Sequence, residues 1–166
     1  MKPAMNSEKV INIVVAGLGG QGVLKASDVI AEAALRAGFD VKKSEIHGMS
    51  QRGGSVASDV RFGPLVLSPM VPEGEADFLV LLHVGELETN RHLLAPGGRL
   101  VHPDLVKGVR LAARRSFNVA LLGVLSQWLD FPEQAWAGAI RACFKPEVQE
   151  QNLAAFRAGR AVVINK

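Results

Sequence analysis

The run Val10-Ile11-Asn12-Ile13-Val14-Val15-Ala16-Gly17-Leu18-Gly19-Gly20-Gln21-Gly22 decides the fold class of this chain. Val10 to Ala16 is almost uninterrupted aliphatic and β-branched sequence, the pattern of a strand buried on both faces of a sheet. A glycine cluster follows at once. Val23, Ala26, Ile30, Ala33 and Ala37 then recur at helical spacing, which predicts a helix from about Gln21 to Ala37. Gly38 stands where a helix C-terminal cap belongs, and Asp40 to Ile46 reads as a second strand. The result is a strand–helix–strand unit of ordinary length.

Further along, Ser55 to Phe62 alternates, with Val56, Val60 and Phe62 on one side and Ser55, Asp59 and Arg61 on the other. Gly63-Pro64 interrupts and Leu65-Val66-Leu67 resumes, so this region is expected to be an antiparallel hairpin with one wet face. Asp77 to His83 reads as another buried strand. Gly85 to Leu94 reads as a short exposed helix with Glu86 and Glu88 solvated near its positive end, and Arg99 to Val101 as a brief strand. The last third is helical: Val119, Leu122, Leu125 and Leu129 share a face, Pro132 opens a helix toward Phe144, and a final helix from about Glu147 is expected to end at Gly159. The expected fold is α/β: a single Rossmann-like open mixed sheet with a β-hairpin and a helical C-terminal part, one domain over residues 1–166.

Composition narrows the function classes. Hydrophobic residues make up 48% of the chain, enough for a buried core, while aromatics are only 5%, so that core is aliphatic. The net charge of +3 is spread along the sequence, which suits an acidic small molecule or partner and is not a nucleic-acid signature. No apolar run reaches the roughly 18–20 residues of a membrane span. The polar N-terminus has no signal-peptide apolar region, so a cytoplasmic protein is expected. The single cysteine, Cys143, cannot by itself hold an iron–sulfur cluster or a tetrahedral metal and reads as a small buried hydrophobe. His83, His92 and His102 show no ligand spacing, so no metal site is expected. No catalytic constellation is visible.

Two loops carry the functional signal. Gly17, Gly19, Gly20, Gln21 and Gly22 fit the dinucleotide fingerprint G-x-G-x-x-G, after a strand and opening a helix. Such glycines permit a tight turn and let a helix N-terminus present bare N–H groups to an anion. The acidic residue that an NAD site needs is poorly placed: Asp40 comes too early and Glu45 runs into the next loop. Lys42 or Lys43 would instead suit a phosphate, so a nicotinamide dinucleotide, another anion and close packing against a partner all stay open here. No Gly-Lys-Ser/Thr follows, which excludes a P-loop.

The second loop, His47-Gly48-Met49-Ser50-Gln51-Arg52-Gly53-Gly54, joins a titratable imidazole, a thioether, an amide and a guanidinium on a glycine-rich backbone. Arg52 matches the two oxygens of a phosphate or carboxylate, and N–H groups around Gly53 and Gly54 suit an anion nest. The loop reads as a ligand- or partner-binding surface.

The sequence resembles the gamma-type small subunits of the 2-oxoacid:ferredoxin oxidoreductases, in their branch acting on aryl 2-oxoacids such as indolepyruvate. The resemblance rests on Asn12 to Leu24, on Ser44-Glu45-Ile46-His47-Gly48-Met49-Ser50-Gln51-Arg52-Gly53-Gly54-Ser55-Val56, on Val60-Arg61-Phe62-Gly63, Ser68-Pro69 and Gly74-Glu75-Ala76-Asp77. It continues in Asn118 to Gly123 and in Asn152 with Ala155 to Gly159. It implies a subunit of a complex that oxidatively decarboxylates the oxoacid to an acyl-CoA and passes electrons to ferredoxin. It also implies a large catalytic partner subunit carrying thiamine diphosphate and the iron–sulfur clusters, with no cofactor held by this chain alone and coenzyme A as co-substrate. A homodimer is compatible with it. The two glycine loops, with Arg52 and Lys42 or Lys43, are the expected surface for coenzyme A phosphates. The basic stretch from Pro103 to Arg114-Arg115-Ser116 departs from the family pattern, being shorter, and His83-Val84-Gly85-Glu86 lacks the acidic pattern expected after its strand. Other readings of the residues are an autonomous NAD(P)-dependent reductase and a non-catalytic interaction domain.

Overall fold

The computed structural model describes residues 8–47 and 54–165, with His47 in its backbone only. The strands are β1 (Ile11–Leu18), β2 (Asp40–His47), β3 (Ser55–Gly63), β4 (Ala76–Leu81) and β5 (Leu94–Val101). They form one sheet in the order β2-β3-β1-β4-β5. β1 is parallel to β4 and antiparallel to β3, and β3 is antiparallel to β2. The sheet is therefore mixed and open, as expected. The helices are α1 (Val23–Arg36), α2 (Leu87–Asn90), α3 (Phe117–Leu125), α4 (Glu133–Cys143) and α5 (Pro146–Arg160).

The hairpin is made differently from expectation. Its partner strands are β2 and β3, in register from Asp40↔Gly63 to His47↔Val56, and Leu65 to Leu67 form no strand. A register of that length offers far more ladder than the three residues left after Gly63-Pro64. Pro64, Pro69 and Pro72 also remove donors that an added strand would need. The segment instead lies over the face expected to be wet. Val71 N–H donates to Asp59 Oδ2 at 2.9 Å, and Arg61 Nη1 donates to the Ser68 carbonyl at 2.9 Å. Asp59 is consequently buried, and burial pushes its carboxyl above the ordinary value, opposed by the Val71 N–H and by Arg61.

β1 is buried over six of its eight residues, because helices cover one face and the 64–75 segment and the turns around α2 cover the other. On the helical face Ile13, Val15, Val60 and Phe62 meet α1, α3 and α4 with no exposed surface. Full burial of each such side chain contributes about 1.5–3 kcal/mol. A smaller cluster of Val14, Ala16, Leu79 and Leu81 occupies the opposite face.

α1 ends as read. Gly38 has φ +93°, its N–H reaches the Leu35 carbonyl at 3.0 Å, and Phe39 N–H reaches Ala34. Gly159 does not end α5, which runs on to Arg160. Gly159 faces α3 so closely that a Cβ would lie 1.8 Å from the Ala120 carbonyl oxygen, and Gly123 faces back at 2.1 Å from that of Phe156. These glycines allow two helix backbones to touch, which places the start of α3 beside the glycine turn.

Candidate functional site

β1, β2 and β4 all end, and β3 begins, at one edge of the sheet. The chain leaves β1 for α1 on one side, while β4 lies on the other, so the glycine turn sits at a topological switch point, where open α/β sheets bind ligands. The turn is built by its own residues. Gln21 Oε1 accepts from Leu18 N–H at 2.8 Å, and Gln21 N–H donates to the Leu18 carbonyl at 3.1 Å. Gly20 and Gly22 take φ of +88° and +83°, a region that glycine enters without a Cβ penalty. Gly19 N–H donates to the Gly54 carbonyl at 2.9 Å, so the first loop is tied directly to the end of the second.

α1 starts at this turn without a side-chain cap and without an acidic residue in its first turn. Its N-terminal N–H groups and the positive end of its dipole are therefore left for another anion. α3 begins opposite. Asn118 Nδ2 donates to the Gly22 carbonyl at 3.2 Å, while Asn118 Oδ1 accepts from Val119 N–H at 2.9 Å. Between the two helix starts lies a cleft of about 570 Å³ lined by Gly20, Gln21, Gly22, Lys25, Arg114 and Arg115, with Phe117 and Phe144 as apolar walls. Lys25 donates to the Cys143 carbonyl at 3.0 Å and lies over the Phe144 ring. Among the described residues Lys25, Arg114 and Arg115 have no carboxylate partner. Unpaired cations facing open backbone N–H groups make a receptor for a phosphate or carboxylate.

The structure brings Gly20, Gln21 and Gly22 into this cleft, while Gly17 packs against Gln21, Val23 and Leu82 and Gly19 is bonded to Gly54. Lys42 and Lys43 stand elsewhere. Lys43 Nζ lies 2.5 Å from Asp28 Oδ1 and 2.7 Å from Glu45 Oε1. Burial alone would lower its pKa, but the two carboxylates outweigh burial and hold it above the ordinary lysine range. Lys42 pairs with Asp40 at 3.6 Å. Asp40 also accepts from Val66 N–H, which with Lys42 holds its carboxyl below the ordinary value. His47 ends β2. Gly48, Met49, Ser50, Gln51, Arg52 and Gly53, which carry the rest of the second-loop reading, lie outside the described residues.

Glu86 corrects a second expectation. It is only 6% exposed, with Oε1 accepting from Ser55 Oγ at 3.0 Å and Oε2 without a partner. The chain leaving β4 turns back against the start of β3, so the first turn of this segment faces protein and not water. Cys143 is half-buried in a separate groove, and burial, with Asp28 and Glu32 nearby, raises its thiol pKa. Lys25, Asn118 and Phe144 carry the cleft and were not found by sequence reasoning. Of its cations only Arg114-Arg115 left a signal, as an unexplained basic pair before a helix.

The sequence model of the pyruvate ferredoxin/flavodoxin oxidoreductase family matches residues 12–106, from within β1 past the end of β5. The chain belongs to this family. It is similar to the indolepyruvate oxidoreductase subunit IorB of Thermococcus kodakarensis, 35% identical with 91% of this chain and 95% of the relative covered. The similarity to the subunit of the same name from Pyrococcus horikoshii is 34% over the same shares. Among solved structures it is similar to a 2-oxoglutarate:ferredoxin oxidoreductase from Magnetococcus marinus holding 2-oxoglutarate, coenzyme A and succinyl-CoA. That likeness has a TM-score of 0.80 and 25% identity, over 93% of this chain and 31% of the other. The gamma subunit of a keto/oxoacid ferredoxin oxidoreductase from Geobacter sulfurreducens has the same fold, with a TM-score of 0.74 at 20% identity over 93% and 96%. In the family member described here, no helix among the described residues is long and apolar enough to cross a membrane.

Proposed function

We propose that this chain, as one gamma-type domain over residues 1–166, is the small subunit of a cytoplasmic 2-oxoacid:ferredoxin oxidoreductase acting on an aryl oxoacid of the indolepyruvate type. The full-length similarity to IorB subunits supports the substrate class. The complex oxidatively decarboxylates the oxoacid, transfers the acyl group to coenzyme A and passes electrons to ferredoxin. Thiamine diphosphate and the iron–sulfur clusters belong to a large catalytic subunit. A chain with a single cysteine has no donor set for a cluster.

The role of this chain is to present a phosphate cradle to coenzyme A at the mouth of the complex. The observation that carries this is the cleft in which the uncapped start of α1 faces Lys25, Arg114 and Arg115. The diphosphate accepts from the α1 N–H groups and from the guanidinium forks of Arg114 and Arg115. The Magnetococcus relative, whose structure holds coenzyme A, supports coenzyme A as the ligand of the complex. An autonomous NAD(P)-dependent reductase is less well supported. Glu45, the acidic residue nearest the position for a ribose diol, is already engaged by Lys43.

The test is anaerobic co-production with the large subunit, followed by arylpyruvate-dependent dye reduction with coenzyme A. Activity that requires both chains, with the KM for coenzyme A raised about tenfold by Arg115→Gln, supports the reading. A large subunit fully active alone, or a KM indifferent to Arg115, sinks it.

A further inference from the structure

Helices cover one face of the sheet, whereas the 64–75 segment and the turns around α2 cover the other. For a surface connection that segment is poor in charge. No charged residue occurs from Phe62 to Pro72, the run Phe-Gly-Pro-Leu-Val-Leu-Ser-Pro-Met-Val-Pro. Val66 and Val71 are buried, while Leu65, Leu67 and Met70 are 64%, 86% and 56% exposed. Three hydrogen bonds fix the backbone that carries them. Val66 N–H donates to Asp40 Oδ2 at 2.7 Å, Val71 N–H donates to Asp59 Oδ2 at 2.9 Å, and the Ser68 carbonyl accepts from Arg61 Nη1 at 2.9 Å.

These tethers also give the run a direction. Asp40 opens β2, and Asp59 pairs with Ser44 further along it. The segment therefore follows the edge strand β2 from its start toward the second loop. Ile46 continues the line: alternation sets it on the same face as Asp40, opposite Ala57, and it is exposed. Leu65, Leu67, Met70 and Ile46 thus make one apolar ridge, on the sheet face away from the helices. Single exposed aliphatic side chains are ordinary, but a contiguous row of them marks a protein contact. A row already held in place loses little freedom when a partner covers it. Beyond Pro72 stand the exposed Glu73 and Glu75, which have no cationic partner among the described residues.

We propose that the ridge of Leu65, Leu67, Met70 and Ile46 is the face by which this chain docks on the large catalytic subunit, against an apolar groove whose basic rim meets Glu73 and Glu75. This rests on the subunit reading proposed above and adds to it the surface that makes the contact. Three observations choose this occupant. The chain spans 95% of the Thermococcus IorB subunit but 31% of the Magnetococcus chain, so this fold also occurs as one part of a longer chain, joined to further protein. The ridge leads to the second loop, so a partner seated on it reaches that loop as well. A second copy of this chain fits less well. A two-fold contact sets the same patch against itself, and the unpaired charges beside it, Glu73 and Glu75, have one sign and would repel.

The experiment titrates the large subunit with the separately purified full chain and follows binding by calorimetry and arylpyruvate-dependent dye reduction. The triple variant Leu65→Ser/Leu67→Ser/Met70→Ser is expected to bind about 100-fold more weakly, with the native activity restored at excess small subunit. Leu67→Ser alone, at the most exposed of the three sites, should weaken binding about tenfold and carries the test if the triple variant is unstable in urea. Glu73→Gln/Glu75→Gln should weaken binding about threefold at low salt, a difference that fades as salt is added. Leu35→Ser and Val163→Ser, at exposed apolar sites off the ridge, should bind as the native chain does. Native affinity in the ridge variants, or an equal loss in the Leu35 and Val163 controls, overturns the proposal while leaving the subunit reading intact. A native chain that sediments as a dimer, made monomeric by the ridge variant with its affinity for the large subunit unchanged, also overturns it and makes the ridge a self-contact. If the native chain binds no large subunit, the subunit reading fails, and this surface with it.

Discussion

Asn118 Nδ2 donates to the carbonyl of Gly22, and the two residues approach so closely that a Cβ on Gly22 would lie 2.4 Å from that nitrogen. The start of α3 is therefore pinned to the start of α1 through a contact that only glycine permits. Gly22→Ala is expected to lose roughly 2 kcal/mol or more, from left-handed backbone strain plus the displaced amide. Gly20 has a similar φ but open space around its Cα. Gly20→Ala should lose only the strain, about 1–2 kcal/mol. Urea denaturation of the two variants separates these terms, and equal losses would deny the Asn118 contact its role.

Gln21 offers an isosteric test of the anion cradle. Its Oε1 accepts from Leu18 N–H, and a carboxylate oxygen would accept as well. Gln21→Glu should keep the turn, with stability changed by only about 0.5 kcal/mol, while setting a negative charge among the phosphate donors. The KM for coenzyme A in the complex is expected to rise about tenfold and to recover partly as salt screens the repulsion. An unchanged KM would place the phosphates elsewhere.

Asp59 makes stability depend on pH in a direction opposite to that of most carboxylates. Burial raises its folded pKa above the ordinary 3.8. The folded state therefore binds the proton more tightly. The favourable contribution is full below 3.8 and is lost as pH rises through the raised value. Asp59→Asn keeps an acceptor for Val71 N–H and removes the buried charge. The variant should match or exceed the native chain in stability at pH 7, and that advantage should vanish on acidification. Asp59→Ala leaves the Val71 N–H unpaired and should lose about 1–3 kcal/mol. Paired denaturation curves between pH 7 and about pH 4 check the sign.

The α3–α5 crossing is set by Gly123 and Gly159. A methyl group at either position would meet carbonyl oxygen of the facing helix at 2.1 or 1.8 Å. Gly123→Ala and Gly159→Ala should each lose about 1–3 kcal/mol or more, by forcing the helices apart. The double variant should lose less than the sum, because the first substitution already opens the gap. Because α3 carries Asn118, both variants should also weaken coenzyme A binding without touching the cleft.

Much of the architecture was legible in the chain. The buried run of β1, the helical spacing of Val23, Ala26, Ile30 and Ala33, and the Gly38 cap are local patterns, and each is set by neighbours within a turn or two. The hairpin was misread because the alternation in β3 is the same whichever strand it pairs with. Only the competition between an eight-residue partner and a three-residue one decides that. Gly159 was misread for a related reason: a glycine near a helix end looks like a cap until the helix crossing it is known. Asp59 and Glu86 looked solvated because a charged residue in an alternating or amphipathic run reads as outward, and the segment that buries it comes from elsewhere in the chain.

For the site, the sequence by itself determined the glycine turn, the special loop after β2 and membership of an oxidoreductase family, since these rest on contiguous residues whose conformation or pattern is local. The tertiary structure alone decided which cations face the turn. Lys42 and Lys43, nearest in sequence, sit beside Asp40, Asp28 and Glu45 and are neutralised there. Arg114, Arg115 and Asn118, some 96 positions beyond Gly22 at the Asn118 contact, arrive because α3 crosses α5 at a glycine contact and starts at the switch point. Charge recognition depends on distance in space, and the sheet order and helix crossings that set that distance are written in no single stretch of the chain.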